Sequence, residues 1–248
     1  MATNLSRASQ LALLPEADRE AFLQQCTPDE LAALEYDWAR FWARPNQLPP
    51  SGVWKVWLIL SGRGWGKTRV GAEMVITWSR TPHLRMALVA ETAADVRDVV
   101  VEGESGILSC SPPWWRPTYQ PTKRRLSWPN GTIATTYSGD APEQLRGPQH
   151  HYAWCDEIAK WRYGEESWHN LELGLRLGSH PQVVATTTPR PLPLLRQLLA
   201  DPGTVVTRGS THENTINLAP SFKERILQRY EGTRLGRQEL YAELLEPV

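Results

Sequence analysis

A glycine-rich segment of the chain contains the groups that proteins use to bind phosphate. It reads Ser61-Gly62-Arg63-Gly64-Trp65-Gly66-Lys67-Thr68 and lies between an apolar run and a segment of helical character. Glycines let the backbone curl so that its N–H groups face the phosphates of a nucleotide, and the start of a helix adds positive potential. Lys67 would contact the β- and γ-phosphate oxygens, and the Thr68 hydroxyl would ligate Mg²⁺. The segment therefore predicts a phosphate-binding loop (P-loop) with ATP and Mg²⁺ as cofactors.

The order of elements around this segment distinguishes it from a chance turn. Ser61 replaces the usual first glycine of the motif, but Gly62 and Gly64 keep the backbone adaptable. The alternative is a glycine-rich turn that carries a surface lysine. A strand before the loop and a helix after it favour phosphate binding.

Two adjacent carboxylates follow a second apolar run. Tyr152–Cys155 has the composition of a short buried strand, and Asp156 and Glu157 come directly after it. Ligands of open α/β sheets lie beyond the carboxyl ends of the strands, so this pair should face the same region as the P-loop. Asp156 would hold Mg²⁺ through its water shell, and Glu157 would orient and deprotonate the attacking water. The alternative is a solvated turn after a strand.

Other polar residues could complete a catalytic site, although each also has an ordinary explanation. Arg146 offers a permanent charge to a γ-phosphate, and Arg63 lies inside the loop, where it could sense phosphate. The hydroxyls of Thr186–Thr188 could couple the phosphate region to the next loop, and the Gln47 amide could bind adenine. Each has an alternative. Arg146 could be a surface arginine, and Arg63 could form a salt bridge across the loop. Thr186–Thr188 could be ordinary β-branched strand residues, and Gln47 could be a loop amide.

Basic residues that could contact nucleic acid occur in two places. Lys123, Arg124 and Arg125 lie on a predicted hairpin, and the C-terminal region contains Arg225, Arg229, Arg234 and Arg237. A protein that slides along DNA should contact mainly the backbone, and weakly. The alternative, which applies to most charged runs, is a solvated surface.

The elements that must position these residues alternate between strands and helices. We predict strands at Val53–Leu60, Arg85–Ala90, Tyr152–Cys155, Gln182–Thr187 and Thr204–Arg208, and a hairpin of Arg124–Trp128 with Thr132–Tyr137. Residues 10–44 are predicted to be helical, with a helix start at Thr27-Pro28-Asp29-Glu30, and so is the tail Pro220–Leu245. Further helices are predicted over Lys67–Arg80, Thr92 to Val101, Glu165–Leu177 and Leu192–Leu199. This order predicts an α/β fold in which helices flank a central, mostly parallel sheet. The long segment between the two motifs leaves room for a strand between the motif strands, as in P-loop NTPases with an additional catalytic Glu.

Composition excludes several classes of protein. The 27 basic and 27 acidic side chains balance, which excludes a uniformly basic nucleic-acid binder. We see no signal-peptide pattern, and the longest apolar run, Val53–Leu60, is too short to cross a membrane. Cys26, Cys110 and Cys155 are odd in number and far apart, which disfavours disulfides and zinc. We expect a protein that is not secreted and works in a reducing cytoplasm, without a membrane partner.

Together, these motifs resemble the terminase large subunit, the ATPase that drives DNA into the proheads of tailed phages. The similarity extends from about Gln47 to Pro247 and includes Ser61–Glu73, Gln144–Gly147, Thr186–Arg190 and Gly232–Glu243. It implies that Gln47 contacts adenine and that Arg63 senses phosphate in the same subunit. It also implies that Arg146 reaches the ATP of a neighbouring subunit and that Thr186–Thr188 couple hydrolysis to motion.

The resemblance further implies partners and a domain plan. The partners would be double-stranded DNA, other subunits of a homo-oligomeric ring (a pentamer on family grounds), the portal and the small terminase subunit. The site of action would be the host cytoplasm, with transient docking on the procapsid portal. The parts would be a helical N-terminal extension (1–45), a P-loop ATPase core (46–210) and a lid subdomain with the start of a linker (211–248). Terminase large subunits usually continue into a metal-dependent nuclease, so we expect this chain to be a fragment that does not cleave DNA.

Two other functions remain open at this point. The first lobe of a DNA helicase or translocase would share the P-loop, the acidic pair and the threonine switch, but it needs a second lobe of similar size. A non-catalytic module would use ATP only to set its conformation. The intact set of Lys67, Thr68, Asp156 and Glu157 argues against such a module.

Overall fold

The computed structural model describes residues 4–219, 221, 228–230 and 232–245. The chain divides into two compact units, residues 1–49 and residues 50–248. Within the described ranges, no helix combines the length and the apolar character that crossing a membrane requires.

The N-terminal unit is helical, as predicted for residues 10–44, and the helix start predicted at Thr27 is confirmed. The structure has helices α1 (Arg7–Ala12), α2 (Glu16–Gln25) and α3 (Pro28–Glu35), followed by a π-helical turn at Trp38–Trp42. The Thr27 hydroxyl accepts the Glu30 N–H at 3.2 Å, and the Glu30 carboxylate accepts the Thr27 N–H at 2.8 Å. This capping box starts α3 as a new helix, with Pro28 in its first turn.

The second unit contains one eight-stranded sheet. Its strands are β1 (Val56–Ser61), β2 (Arg85–Ala90), β3 (Thr118–Gln120), β4 (Arg125–Ser127), β5 (Ile133–Ser138), β6 (Tyr152–Asp156), β7 (Gln182–Thr187) and β8 (Thr204–Gly209). The order is β3-β4-β5-β2-β6-β7-β1-β8. Pairing is parallel except for β3 with β4 and β4 with β5. The mostly parallel sheet is confirmed, and β7 separates the P-loop strand β1 from the acidic strand β6.

Helices connect the strands. They are α4 (Lys67–Trp78), α5 (Ala93–Asp95), α6 (Ile107–Cys110), α7 (Gly164–Gly174) and α8 (Pro193–Ala200), and a π-helical segment, Val96–Val101, continues α5. The predicted helix Glu165–Leu177 ends three residues early at Gly174. Of the predicted helical tail Pro220–Leu245, the structure has short helices at Gln228–Tyr230 and Arg234–Glu239, and residues 220, 222–227 and 231 lie outside the described residues. A 3₁₀ segment, Thr211–Asn217, precedes the tail.

Side chains from both faces of the sheet are buried. On one face, Val56, Leu58 and Leu60 of β1 belong to a core cluster with Trp168 of α7 and Leu195 of α8, among others. On the other face, the Trp154 indole of β6 lies against Gly71 of α4, where a larger side chain would collide with the ring. Burial on two faces explains why the strands are apolar almost throughout rather than alternating. The sheet is therefore a rigid support for the loops at its carboxyl edge.

Candidate nucleotide-binding site

The P-loop connects the end of β1 to the start of α4. Strand β1 ends at Ser61, and α4 begins at Lys67. Gly66 precedes the helix with φ 99° and ψ 23°, a left-handed conformation that glycine adopts without steric strain. The turn directs backbone N–H groups of the first helical turn outwards, where the aligned peptide dipoles favour an anion.

Backbone hydrogen bonds fix the outer side of the loop. The Gly62 N–H donates to the Gly209 carbonyl at 2.9 Å, and the Arg63 N–H donates to the Glu239 carbonyl at 2.8 Å. A Cβ atom at Gly62 would lie 2.6 Å from the Leu240 carbonyl oxygen, so the backbone contact requires glycine here. The P-loop is thus tied both to the end of β8 and to a segment near the C-terminus.

Side chains of the 3₁₀ segment Thr211–Asn217 bind the same loop. The Thr211 hydroxyl donates to the Arg63 carbonyl at 2.7 Å, and the Asn214 amide donates to the Gly64 carbonyl at 2.7 Å. The buried Trp65 indole donates to a Glu213 carboxylate oxygen at 3.2 Å. Trp65 therefore serves as a packing residue through its side chain, and only its backbone can face a nucleotide.

The acidic pair meets the P-loop lysine. Lys67 Nζ lies 3.1 Å from Glu157 Oε1, and Lys160 Nζ lies 3.9 Å from Glu157 Oε2. Glu157 has φ 50°, a left-handed conformation that is strained for a residue with a side chain. This backbone turn follows the last residue of β6 and brings the carboxylate to the helix start of the P-loop.

The two carboxylates have opposite pKa shifts. Burial alone would raise the pKa of Glu157, but Lys67 and Lys160, a hydrogen bond from Lys67 and the Thr188 backbone N–H together lower it below its usual range. The pKa of Asp156 is raised to about 6, chiefly by burial and secondly by the Glu157 charge. Glu157 is therefore ionised at neutral pH, and ionised Asp156 is short of compensating positive charge.

Asp156 is held by the neighbouring strand. Its Oδ1 accepts the Thr186 hydroxyl at 2.6 Å, and the Trp154 indole donates to the Thr186 oxygen at 3.3 Å. The next hydroxyl, Thr187, accepts the Ala159 N–H at 3.2 Å. The end of β7 is thus hydrogen-bonded both to the buried carboxylate and to the loop after Glu157.

A cavity of about 430 Å³ opens over the helix start. The P-loop contributes Gly64, Gly66, Lys67 and Thr68 to its wall. The rest of the wall comes from other elements and includes Arg69, Asp98, Glu104, Ser105 and Asn214. Its size and its convergent polar groups suit a nucleotide.

The donor set near Lys67 also suits a divalent cation. Thr68 lines the cavity. Asp156 is buried, and its raised pKa indicates that too little positive charge surrounds its ionised carboxylate. Hard oxygen donors of this kind are the ligands that Mg²⁺ prefers, usually with several water molecules. Thr68 and Asp156 could therefore hold a magnesium ion.

Three further residues named from sequence have the following surroundings. The Arg63 side chain is 70% exposed, with Nη2 3.7 Å from a Glu239 carboxylate oxygen. The Arg146 side chain is 74% exposed, with Nη1 3.7 Å from Glu143 Oε2. Gln47 belongs to the N-terminal unit, where its Oε1 accepts the Arg44 N–H at 3.0 Å.

The basic candidates for DNA contact have different surroundings. Lys123, Arg124 and Arg125 are exposed, and Arg124 donates to the Gln144 side chain at 2.8 Å. Arg237 forms an ion pair with Glu243, and the Arg229 guanidinium lies 5.7 Å from the centre of the Tyr230 ring. Arg234 lies at the start of its helix, and Arg225 lies outside the described residues.

Two groups of residues at this site were not predicted from the sequence. The first is the cavity wall from Asp98 to Ser105, which follows β2. Its position at the carboxyl end of a parallel strand was a usable signal, because such loops all reach the same sheet edge. The second is the 3₁₀ segment that holds the P-loop, and its polar sequence gave no comparable signal.

A mostly parallel α/β sheet with a phosphate-binding loop and an acidic pair at its carboxyl edge defines an ATPase domain. The family model "Terminase large subunit, T4likevirus-type, N-terminal" matches residues 58–246, which include both motifs and Thr186–Thr188. The chain belongs to this terminase large-subunit family. The resemblance inferred from sequence is therefore confirmed.

Solved structures of phage terminases share the fold. The ATPase domain of Thermus phage P74-26 large terminase is 16% identical with a TM-score of 0.58, over 79% of this chain and 90% of that one. The large terminase of another thermophilic bacteriophage is 14% identical with a TM-score of 0.64, over 86% of this chain and 53% of that one. HK97 bacteriophage large terminase is 13% identical with a TM-score of 0.50, over 89% of this chain and 51% of that one. The chain thus spans about half the length of the last two proteins.

A comparison with curated protein sequences found no match. The family assignment therefore depends on the family model, and the solved structures support the fold.

Proposed function

We propose that this chain is the ATP-hydrolysing motor domain of a terminase large subunit that translocates double-stranded DNA into a procapsid. The observation that carries the proposal is the 3.1 Å contact of Lys67 Nζ with Glu157 Oε1, beside the buried Asp156. A lysine that binds phosphate, a carboxylate that acts as general base and a second carboxylate at the cation site are what P-loop hydrolysis needs. In this proposal the fold is that of a P-loop NTPase with an additional catalytic glutamate.

Each of these residues has a proposed role. The backbone from Ser61 to Thr68 binds the phosphates, and Lys67 exchanges its Glu157 partner for phosphate oxygens. Glu157, released from Lys67, then holds the attacking water and accepts its proton. Thr68, and Asp156 through water, would hold Mg²⁺, which would supply positive charge to the phosphate oxygens.

The threonines after β7 are proposed to couple hydrolysis to movement. Thr186 binds the Asp156 carboxylate, and Thr187 binds the backbone just after Glu157. A change in the charge of the acidic pair would alter both hydrogen bonds. It would also alter the hydrogen bond from the Thr188 N–H to the Glu157 carboxylate. This connection gives the nucleotide a path to the loop that begins at Pro189.

Two arginines are proposed to act on phosphate from the surface. Arg146 is largely exposed and weakly paired, so it is accessible to the ATP of a neighbouring subunit in a ring. Arg63 would sense the phosphate of its own subunit, because its backbone lies within the loop. Gln47 would contact the adenine. These roles follow from the family pattern and the positions of the residues in the sequence.

The proposed assembly is a pentameric ring that holds double-stranded DNA, with the portal and the small terminase subunit as further partners. Lys123, Arg124 and Arg125 are proposed to contact the DNA backbone. The proposed site of action is the host cytoplasm, with transient docking on the procapsid portal. The proposed parts remain a helical extension (1–45), the ATPase core (46–210) and a lid (211–248).

Nucleotide complexes of a structural relative support the nucleotide assignment. The large terminase of the second thermophilic bacteriophage has been solved in complex with ADP and with ATP-gamma-S. It shares 15% and 14% sequence identity with this chain in those two structures. An adenine nucleotide is therefore the ligand that we propose for the P-loop cavity.

The test is the rate of ATP hydrolysis per subunit, measured against protein concentration for wild type and Arg146→Ala. A shared site predicts that the wild-type rate rises with concentration and that the Arg146→Ala rate stays low and flat. A wild-type rate that is independent of concentration would contradict the ring. Slow hydrolysis that Glu157→Gln leaves unchanged would instead favour a non-catalytic nucleotide-gated module.

A further inference from the structure

A second cavity lies at the opposite edge of the sheet from the P-loop. It has a volume of about 420 Å³ and is lined by residues of β2, β4, β5 and the loop before β6. Arg85 and Ile133, which open β2 and β5, form its edge and are paired in parallel register. The P-loop follows the last residue of the parallel strand β1. The starts and the ends of parallel strands lie at opposite edges of the sheet, and β6 and β7 lie between β2 and β1, so the two sites are separate.

The strand register places two arginines on the same side of the sheet. Arg85 of β2 is opposite Ile133, and Arg125 of β4 is opposite Thr135. Ile133 and Thr135 are two residues apart on β5, so their side chains lie on the same face of the sheet. A residue shares its face with the residue opposite it on the next strand, so Arg85 and Arg125 lie on that face too. Both guanidinium groups therefore flank β5 on the face that forms the cavity.

The charge of this cavity is positive and uncompensated. Its lining contains Arg85 and Arg125 but no carboxylate. Both arginines are exposed, and neither pairs with a carboxylate in the part of the chain that the structure describes. An anion bound between the two guanidinium groups would be attracted by both and would offset their mutual repulsion. Arginine also binds phosphate oxygens in a bidentate manner.

A buried histidine forms the inner wall. His150 is only 4% exposed, and neither ring nitrogen has a hydrogen-bond partner among the described residues. Its ring lies edge-on to Tyr137, with centroids 5.4 Å apart. The neutral imidazole carries one N–H, and leaving a buried donor unpaired is costly. An acceptor oxygen that reached the ring from the cavity would supply the missing partner.

We propose that this cavity binds a phosphate group of the DNA backbone between Arg85 and Arg125, with His150 behind it. The proposal rests on the proposed function, in which the chain moves along DNA. Exposed Lys123 and Arg124 precede Arg125 directly, so the positive surface continues beyond the cavity along the hairpin. Such a site reads phosphate rather than base sequence, which suits a motor that must move over any sequence. Free inorganic phosphate shares this chemistry and is the other source that the ligand could have.

The experiment compares Arg85→Gln/Arg125→Gln with wild type and with Arg196→Gln, which removes the charge of an exposed arginine on α8. Binding of a fluorescent DNA duplex is measured by anisotropy at several salt concentrations. Binding of a fluorescent ATP analogue is measured in parallel. We expect the double variant to bind DNA at least about ten-fold more weakly, with a salt slope reduced by about one to two. ATP-analogue affinity should stay unchanged, and Arg196→Gln should match wild type in both assays.

A separate titration of wild type with inorganic phosphate follows the His150 ring signals by NMR, with the ring assigned from His150→Gln. Phosphate-dependent shifts that disappear in the double variant, together with its weaker DNA binding, support the proposal. Phosphate binding without any loss of DNA affinity in the double variant would overturn it in favour of a free-phosphate site. Unchanged DNA affinity without phosphate binding would also overturn it, while the proposed motor function would stand. A wild-type protein that hydrolyses ATP but binds no DNA at any salt concentration would overturn both.

Discussion

Lys67 Nζ lies 3.1 Å from Glu157 Oε1, although the two residues come from different loops at the carboxyl edge of the sheet. This ion pair joins the phosphate-binding cation to the proposed general base. Because a triphosphate would compete for the same ammonium group, the pair links nucleotide binding to the release of Glu157. Hydrolysis would then begin only after the phosphates have replaced the carboxylate.

This competition predicts the behaviour of Glu157→Gln. The neutral amide cannot accept a proton from water, so the hydrolysis rate should fall by about 10²–10⁴. ATP should bind as tightly as to wild type or more tightly, because its phosphates no longer displace a carboxylate from Lys67. Single-turnover hydrolysis and equilibrium nucleotide binding measure the two effects. The control is Glu165→Gln, which replaces an exposed carboxylate on α7 with an amide and should resemble wild type. Loss of ATP binding in Glu157→Gln would contradict the competition.

Asp156 is expected to destabilise the nucleotide-free domain. Its folded-state pKa of about 6 lies above the ordinary value of 3.8, so stability increases as the pH falls from about 6 towards 3.8. Asp156→Asn mimics the protonated form and can still accept the Thr186 hydroxyl. We expect the free energy of unfolding at neutral pH to rise by up to about 3 kcal/mol and Mg²⁺-dependent hydrolysis to disappear. Urea unfolding without nucleotide measures the first effect, and a less stable variant would contradict this account.

His150 should make the domain sensitive to mild acid. Its pKa is lowered to about 4, chiefly by burial and further by Arg85 and His151, whereas the ordinary value is 6.5. The unfolded chain therefore binds a proton as the pH falls below 6.5, and the folded chain does so only near 4. The free energy of unfolding should decrease across this window by up to about 3 kcal/mol from this residue.

Urea unfolding at about pH 7 and about pH 4.5 measures the effect of His150, because these pH values span most of the range between its two pKa values. His150→Phe keeps a ring beside Tyr137 but cannot titrate, so it should lose less stability between the two pH values than wild type. His169→Gln changes an exposed histidine and should keep the wild-type pH dependence. Equal pH dependence of His150→Phe and wild type would show that His150 is not the titrating group.

Gly62→Ala tests the contact between the P-loop and the C-terminal segment. The added Cβ would lie 2.6 Å from both the Leu240 carbonyl oxygen and the Thr211 hydroxyl oxygen. We expect a loss of about 1–3 kcal/mol in stability and weaker nucleotide binding, because the loop must shift. At Gly164 the nearest atom would be 3.4 Å away, so Gly164→Ala is the matched control. Thermal unfolding and ATP-analogue titration of the two variants provide the comparison.

Much of the fold could be predicted from the sequence because the relevant signals are local. The strand Gln182–Thr187 and the strand Arg85–Ala90 have the predicted bounds, since buried parallel strands are apolar throughout. The P-loop and the acidic pair were recognisable because their chemistry requires particular residue types at particular strand ends. The helix start at Thr27 was recognisable from its capping residues, whereas apolar spacing alone did not show the breaks after Ala12 and Glu35.

Other features depend on contacts between distant residues. The Arg63 N–H bonds to the Glu239 carbonyl, and the backbone groups involved carry no residue-specific signal. The ion pair of Lys67 with Glu157 depends on the left-handed backbone of Glu157, which no sequence pattern indicated. The burial of His150 and its unpaired ring nitrogens are likewise visible only in the structure.

The central claim is that Lys67, Asp156 and Glu157 act on one magnesium-bound triphosphate. The most direct test is an experimental structure of the domain with Mg²⁺ and a non-hydrolysable ATP analogue. We predict phosphates in the loop from Ser61 to Thr68, Lys67 Nζ on a β- or γ-oxygen, and the Glu157 carboxylate facing the γ-phosphate. A triphosphate bound away from this loop, or one that leaves the ion pair of Lys67 with Glu157 intact, would contradict the account.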